Sequence, residues 1–163
     1  MLPWTLREVA ALVDGRLMMG DGEKKITGVS HDTRNVKRGD LFVAIVGARL
    51  DGHRFLKQAA AKGAQAAVVS KVMPVALPQI VVKDTTEALG AMGRAQRLQW
   101  GGPVVAVTGS VGKTTVKDMT AHLLKGSFRV LKTQGNLNNQ WGLPLTLLKL
   151  TKEHEAAVVE IGI

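Results

Sequence analysis

Cysteine and tyrosine are absent from the 163-residue sequence, and phenylalanine and tryptophan contribute only three residues each. Without cysteine the chain forms neither disulfides nor thiolate metal sites, which excludes cysteine-based redox chemistry and is compatible with a reducing cytoplasm. The few aromatic side chains leave little surface on which nucleic-acid bases could stack. Hydrophobic residues nevertheless make up 45% of the sequence, which is enough for a packed globular core.

Long apolar runs are also absent. No run approaches the roughly 20 residues needed to cross a bilayer, and the first five residues lack the basic and apolar segments of an export signal. We therefore expect a cytoplasmic protein with no membrane partner. The net charge of +9 indicates anionic ligands. Because the lysines and arginines are dispersed, nucleotide phosphates explain this charge better than nucleic acid does.

Hydrophobic periodicity and turn residues predict an α/β protein in two parts. A capping box of Thr5 and Glu8 begins a short first helix. Strands are then predicted at residues 26–29, 41–46, 66–69 and 79–82, with helices at 55–62 and from Asp84 to about residue 98. After a boundary near residues 99–103, strands at 104–107, 129–131 and 156–160 alternate with a helix at 114–124 and a short helix after Pro144. This alternation is typical of a parallel sheet.

A glycine-rich segment joins the strand at 104–107 to the next helix, and it reads Thr108-Gly109-Ser110-Val111-Gly112-Lys113-Thr114-Thr115. Glycines let the backbone direct N–H groups at phosphate oxygens, and the start of the helix adds partial positive charge. Lys113 would neutralise terminal phosphates, and Thr114 would supply a hydroxyl to Mg²⁺. Val107 stands where the usual pattern has its first glycine, so the loop is a shorter variant. The alternative is a glycine-rich turn with an incidental lysine.

Glu160 ends the last predicted strand. In a parallel sheet the carboxyl ends of neighbouring strands lie together beside a phosphate loop, so this carboxylate could hold Mg²⁺ directly or through water. Thr114 would be the second metal ligand. The competing interpretation is a solvated glutamate at a strand end.

Several ordered motifs resemble the Mur ligase family. In the second part of the chain they are the run T-G-S-V-G-K-T-T-V-K-D-M at 108–119, Gly135-Asn136-Leu137-Asn138-Asn139, and G-L-P-L-T-L-L at 142–148. In the first part, Asp32-Thr33-Arg34, the segment 39–44 and Asp51-Gly52-His53 look like the uridine-nucleotide-binding domain of these enzymes. The resemblance implies a small mixed α/β UDP-precursor-binding domain at residues 1–100. A truncated central ATP-binding domain, with a parallel sheet and a P-loop, would follow at 101–163.

The resemblance also implies a reaction. ATP would phosphorylate the terminal carboxylate of UDP-N-acetylmuramoyl-tripeptide, and the amine of D-alanyl-D-alanine would attack the acyl phosphate, with ATP and Mg²⁺ as cofactors. The implied catalytic residues are Lys113 and Glu160, and the implied metal ligands are Thr114 and Glu160. Nucleotide binding is assigned to Thr108, Gly109, Ser110, Gly112, Lys113, Thr114 and Thr115. Substrate binding is assigned to Asp32, Thr33, Arg34, Asp51, Gly52, His53, Asn136, Asn138 and Asn139.

Simpler interpretations of some of these residues stay open. His53 could be a polar turn residue after Asp-Gly. The asparagines could serve turn chemistry, because Gly-Asn and Asn-Asn are common in loops.

In the family the central domain continues and a third domain follows, so we expect this chain to bind the UDP-linked precursor without ligating it. About 60 residues of central domain would leave a strand edge and an apolar face uncovered, which predicts self-association or packing of that part on the first domain. A natural short binding or regulatory module is the alternative to a piece of the ligase. An unrelated phosphate-loop ATPase is disfavoured, because it has no use for the motifs of the first domain.

Overall fold

The computed structural model describes residues 3–162, and it contains two compact units, Pro3–Met92 and 93–162. A long helix, Thr85–Trp100, contributes to both units. The boundary predicted near residues 99–103 lies at the C-terminal end of this helix and stays a prediction. No helix within residues 3–162 is both long and apolar enough to cross a membrane.

The first unit is a mixed five-stranded sheet with helices. Its strands are β1 (Arg16–Leu17), β2 (Val29–Ser30), β3 (Leu41–Val43), β4 (Ala66–Val69) and β5 (Gln79–Val81), and its helices are α1 (Leu6–Leu12), a 3₁₀ helix (Gly52–Phe55), α2 (Leu56–Ala61) and α3 (Thr85–Trp100). The sheet order is β1-β5-β4-β3-β2, in which only β1 pairs antiparallel. Every residue of β3 and β4 is buried, as expected for central parallel strands covered on both faces.

Side-chain caps fix the ends of two helices in this unit. The predicted capping box is present, because the Thr5 side chain accepts the Glu8 N–H and the Glu8 side chain accepts the Thr5 N–H. Asp84 Oδ1 accepts the N–H groups of Thr86 and Glu87 at the start of α3. The Thr85 hydroxyl then donates to the Ala44 carbonyl at 3.0 Å, which ties this helix to the sheet.

The prediction of a strand at residues 26–29 is wrong except at its last residue, Val29, which begins β2. The Ile26 N–H donates to the Trp4 carbonyl and the Thr27 N–H donates to the Gly39 carbonyl, so the backbone there bonds to loops instead of a neighbouring strand. The strand predicted at 41–46 ends at Val43, although Val46 forms an isolated bridge to Asp51. The two-residue strand β1 was not predicted.

The second unit contains the predicted parallel sheet. Its further elements are β6 (Val104–Val107), α4 (Lys113–Leu124), β7 (Val130–Lys132), α5 (Gly142–Leu147) and β8 (Ala156–Glu160), and the sheet order is β6-β8-β7. The strands β6 and β8 match their predicted bounds, while β7 is shifted by one residue. Pro144 lies in the first turn of α5, where its missing N–H costs no helical hydrogen bond. Leu131, Leu150 and Ala157 form a buried core cluster.

Candidate functional site

The predicted phosphate loop, residues 108–115, follows β6 and runs into α4 through two glycines with positive φ, Gly109 at 137° and Gly112 at 77°. A Cβ at either position would meet no atom within 4 Å. Glycine is therefore favoured by the backbone conformation and not by a lack of space for a side chain. Gly112 is the N-cap of α4 and Lys113 is its first residue. The Lys113 ammonium donates to the Gly109 carbonyl oxygen at 2.5 Å, which places it beside the loop backbone. Thr108 and Ser110 lie in the loop, and Thr114 and Thr115 in the first turn of α4.

Glu160 receives contacts from three other segments at the end of β8. Its Oε2 accepts the Thr114 hydroxyl at 3.1 Å, and its Oε1 accepts the Asn138 amide at 2.8 Å. Its backbone N–H donates to the Thr133 hydroxyl at 3.0 Å. The residue is only 3% exposed, which excludes the interpretation as a solvated glutamate at a strand end.

Three ion pairs form a series that begins at Glu160, and none of them was predicted from the sequence. Lys117 Nζ lies 3.8 Å from Glu160 Oε2 and 3.3 Å from Asp118 Oδ1. Lys132 Nζ lies 2.7 Å from the same Asp118 oxygen. The Lys132 ammonium, with a smaller contribution from Lys117, lowers the pKa of Asp118 below its usual value. A signal for Lys117 was present, because it follows Lys113 by four residues and therefore lies on the same face of the helix.

These side chains line an open cleft of about 510 Å³ at the carboxyl ends of the strands. Thr114, Lys117, Lys132 and Asn138 contribute to its wall together with Glu160 and Asn136. In open parallel sheets, ligands bind at this end of the strands. The arrangement thus places ammonium groups, a hydroxyl and a carboxylate around one space beside the phosphate loop.

Asn139 is not among the residues that line this cleft. Its Oδ1 accepts the N–H groups of Trp141 and Gly142 at 3.2 and 2.8 Å, so it caps the start of α5. This contact corresponds to the turn chemistry that was left open for the asparagines. Asn136 and Asn138, in contrast, line the cleft.

Thr114 and Glu160 bring a hydroxyl and a carboxylate oxygen to within 3.1 Å of each other beside the predicted phosphate loop. Within residues 3–162 no group of three or more His, Cys, Asp or Glu side chains is arranged to hold a metal ion. Protein-bound Mg²⁺ commonly takes only one or two carboxylates and completes its shell with water and nucleotide phosphates. The hydroxyl and carboxylate pair therefore fits the ligand chemistry of a nucleotide-bound Mg²⁺.

In the first unit, Asp32 and Arg34 bind each other. The Asp32 carboxylate accepts the Arg34 backbone N–H at 2.9 Å and the guanidinium at 2.6 Å, which lowers the pKa of Asp32. The Arg34 side chain is still 86% exposed to solvent. Thr33 is buried, and its hydroxyl donates to Gln58 Oε1 at 2.8 Å. Of these three predicted substrate-binding residues, Arg34 has the exposed side chain.

His53 is buried, with only 2% of the residue exposed. Its Nε2 accepts the Ser70 backbone N–H at 2.9 Å, so the ring proton is on Nδ1, which donates to Asp51 Oδ1 at 2.5 Å. The Ser70 hydroxyl lies 3.3 Å from Nε2, in an order that resembles a Ser-His-Asp triad. Because the single Nε2 lone pair already accepts the backbone N–H, the ring is not a base for that hydroxyl.

The phosphate loop and the Asp-Thr-Arg segment lie in regions that match known proteins. The model of the Mur ligase family, catalytic domain, matches residues 25–97, and that of the Mur ligase middle domain matches residues 107–163. The UDP-N-acetylmuramoyl-tripeptide–D-alanyl-D-alanine ligase of Escherichia coli K12 is 45% identical over 162 residues, which cover 99% of this chain and 35% of that protein.

Solved structures show the same similarity. A crystal structure of MurF from Acinetobacter baumannii has a TM-score of 0.92 at 39% identity, over 99% of this chain and 36% of that one. MurF ligase from Thermotoga maritima in complex with ADP has a TM-score of 0.72 at 37% identity, over 82% of this chain and 31% of that one. The chain therefore spans about a third of the length of these relatives. Because the two domain models match in chain order and together account for most of its residues, the chain belongs to the Mur ligase family.

Proposed function

We propose that this chain forms the UDP-precursor-binding part and the phosphate-binding part of a cytoplasmic ligase that joins D-alanyl-D-alanine to UDP-N-acetylmuramoyl-tripeptide at the expense of ATP. One observation carries the proposal: Glu160 meets the Thr114 hydroxyl in the first turn of the helix that follows the phosphate loop. The similarity to ligases with this printed activity, and to a relative solved with ADP, supports the choice of substrates and nucleotide.

In this proposal the second unit binds Mg-ATP. The loop amides and the Lys113 ammonium bind the terminal phosphates, and Thr114 and Glu160 hold the Mg²⁺, which neutralises phosphate charge when bound. Asn136 and Asn138 line the same cleft and offer amide groups to the sugar or peptide.

The first unit binds the uridine nucleotide through the exposed Arg34 side chain, whose guanidinium is oriented by its hydrogen bonds to Asp32. A guanidinium fork matches the geometry of phosphate oxygens. Thr33 supports this segment through Gln58, and Asp51, Gly52 and His53 support the neighbouring turn. We propose that the chain by itself binds these ligands without ligating them.

Calorimetric titration of the chain with Mg-ATP, and separately with UDP-N-acetylmuramoyl-tripeptide, tests both sites. We expect Lys113→Ala to abolish Mg-ATP binding and to preserve precursor binding, because it removes only the phosphate-neutralising ammonium. Arg34→Ala is the matched control and should do the reverse. Equal weakening of both ligands by both variants, with folding intact, would contradict the two-site proposal.

The same titrations, together with an assay of phosphate release, separate the proposal from its alternatives. Precursor binding without ATP binding would favour a binding or regulatory module. Phosphate release that depends on both UDP-N-acetylmuramoyl-tripeptide and D-alanyl-D-alanine would show that the chain ligates by itself, contrary to our expectation.

A further inference from the structure

Lys117 places an ammonium group in the interior of the second unit. Its side chain is 3% exposed, and Nζ lies between Glu160 Oε2 at 3.8 Å and Asp118 Oδ1 at 3.3 Å. Asp118 in turn contacts Lys132. Charges of alternating sign thus form a row along the cleft wall, from Glu160 through Lys117 and Asp118 to Lys132.

The position of this ammonium needs an explanation, because burying a charge costs free energy unless an opposite charge compensates it. Asp118 is an incomplete compensation, since its side chain is 45% exposed and Lys132 already binds it at 2.7 Å. Glu160 is the buried partner, with 3% of its side chain exposed. Each of the two groups therefore depends on the other for charge compensation.

The contacts to Glu160 differ between its two oxygens. Asn138 binds Oε1, whereas Thr114 and Lys117 both approach Oε2. Thr114 and Lys117 are three residues apart on α4, so one face of this helix presents a hydroxyl and an ammonium to the same oxygen. Together with Asn138 they fix the plane of the carboxylate.

We propose that Lys117 is a positioning residue, whose buried ammonium holds Glu160 so that Oε2 faces the Thr114 hydroxyl beside the phosphate loop. Its consequence for Mg-nucleotide binding rests on the proposed function, whereas the orientation of the carboxylate does not. Lys117 thus acts on the metal site through Glu160 and not by contacting the nucleotide.

Crystal structures of the unchanged chain, Lys117→Met and Lys117→Arg test the orientation directly. In Lys117→Met we expect Glu160 to turn and the Thr114–Glu160 hydrogen bond of 3.1 Å to be lost, whereas arginine keeps the charge and the hydrogen bond. Lys125→Met, at an exposed position just beyond α4, is the matched control and should leave Glu160 in place. An unmoved Glu160 in Lys117→Met overturns the proposal. If that variant does not fold, Lys117→Arg decides, because loss of the hydrogen bond there overturns it as well.

Titration with ATP in the presence and absence of Mg²⁺ tests the consequence. We expect Lys117→Met to weaken Mg-ATP binding roughly 10–100-fold, as for residues that orient metal ligands, and to change metal-free ATP binding little. Lys117→Arg should restore most of the loss. Equal weakening with and without Mg²⁺ would mean that Lys117 contacts phosphate, and it would overturn the proposal. If the unchanged chain binds no Mg-ATP, the proposed function is wrong, while the crystal structures still decide the orientation.

Discussion

The Asp51 carboxylate accepts hydrogen bonds from three groups of the first unit. It accepts the His53 backbone N–H at 3.0 Å and the His53 ring N–H, and its second oxygen accepts the Lys71 ammonium at 3.2 Å. The two hydrogen bonds from His53 are the main causes that lower the pKa of Asp51 from 3.8 to about 2. The lowered pKa means that the folded state favours the ionised carboxylate.

This shift predicts a contribution of Asp51 to acid stability. Because the pKa is lower in the folded state than in the unfolded chain, the stabilisation is complete above the unfolded value of 3.8 and is lost as the pH falls toward about 2. We expect Asp51→Asn to lose less free energy of unfolding between pH 4 and pH 2 than the unchanged chain, as measured by urea denaturation. Lys71→Met removes only a minor cause and should keep most of the dependence. An equal loss in Asp51→Asn would contradict the assignment.

At the scale of single residues, sequence spacing indicates candidate site residues only where their proposed role depends on local geometry. Gly109, Gly112 and Lys113 lie within five positions of one another, so their spacing alone indicates a phosphate loop. His53 stayed ambiguous, because its Nε2 accepts a hydrogen bond from the backbone of Ser70, 17 residues away. The contacts of Lys117 with Glu160 join residues that are even more distant in the chain, and only the folded structure brings them together.

At the scale of elements, the 3₁₀ helix begins at Gly52, where its backbone packs closely against the backbone of Ala44 and Ile45. A Cβ on Gly52 would lie 2.7 Å from the Ile45 backbone nitrogen and oxygen and 2.8 Å from the Ala44 carbonyl carbon. These are backbone atoms, which cannot move aside as a flexible side chain does. A Cβ on Gly90, within α3, would meet no atom of another segment within 4 Å.

The two glycines therefore predict opposite effects of the same substitution. Gly52→Ala should destabilise the chain by about 1–3 kcal/mol through overpacking. Gly90→Ala should stabilise it by roughly 0.5–1 kcal/mol, because alanine loses less backbone entropy in a helix. Urea denaturation measures both changes. A neutral Gly52→Ala would show that the backbone contact to Ile45 is not required.

The sequence predicted strands flanked by clear turn residues better than strands that depend on distant pairing partners. The strands at Ala66–Val69, Val104–Val107 and Ala156–Glu160 have the predicted bounds, since each is a short apolar run next to clear turn residues. Arg16–Leu17 is too short to show alternation, and it is a strand only because it pairs with β5. Ile26 is as apolar as a strand residue, but its backbone bonds to Trp4. Pairing partners distant in the chain decided both cases.

At the scale of the whole molecule, the exposed apolar residues of the second unit bear on whether the chain associates with other copies. Val116, Met119 and Leu123 of α4 are 51, 61 and 77% exposed, and we call them the α4 stripe. The edge strand β6 also exposes Val105 at 41%. Apolar surface next to an unpaired strand edge favours association with another copy.

We expect the chain to self-associate with increasing concentration, as measured by sedimentation velocity. The double variant Met119→Lys and Leu123→Lys should weaken this association, because it places charge in the α4 stripe. Leu50→Lys with Val72→Lys is the matched control, since these residues are 62 and 56% exposed but belong to the first unit. A monomer at all concentrations, without binding of a dye for exposed apolar surface, would show that the prediction is wrong.

The Glu160 side chain contacts α4 through Thr114 and the loop after β7 through Asn138, and its backbone N–H contacts Thr133, directly after β7. Aspartate keeps the charge but is one methylene group shorter, so from the same backbone position it would not reach the Thr114 hydroxyl and the Asn138 amide together. Glutamine keeps the length but replaces one charged acceptor oxygen by a donor amide, which leaves the Lys117 ammonium without its buried counter-charge. Neither of the usual conservative replacements satisfies all of these contacts. A saturation library at this position should therefore contain no substitute that retains Mg-ATP binding.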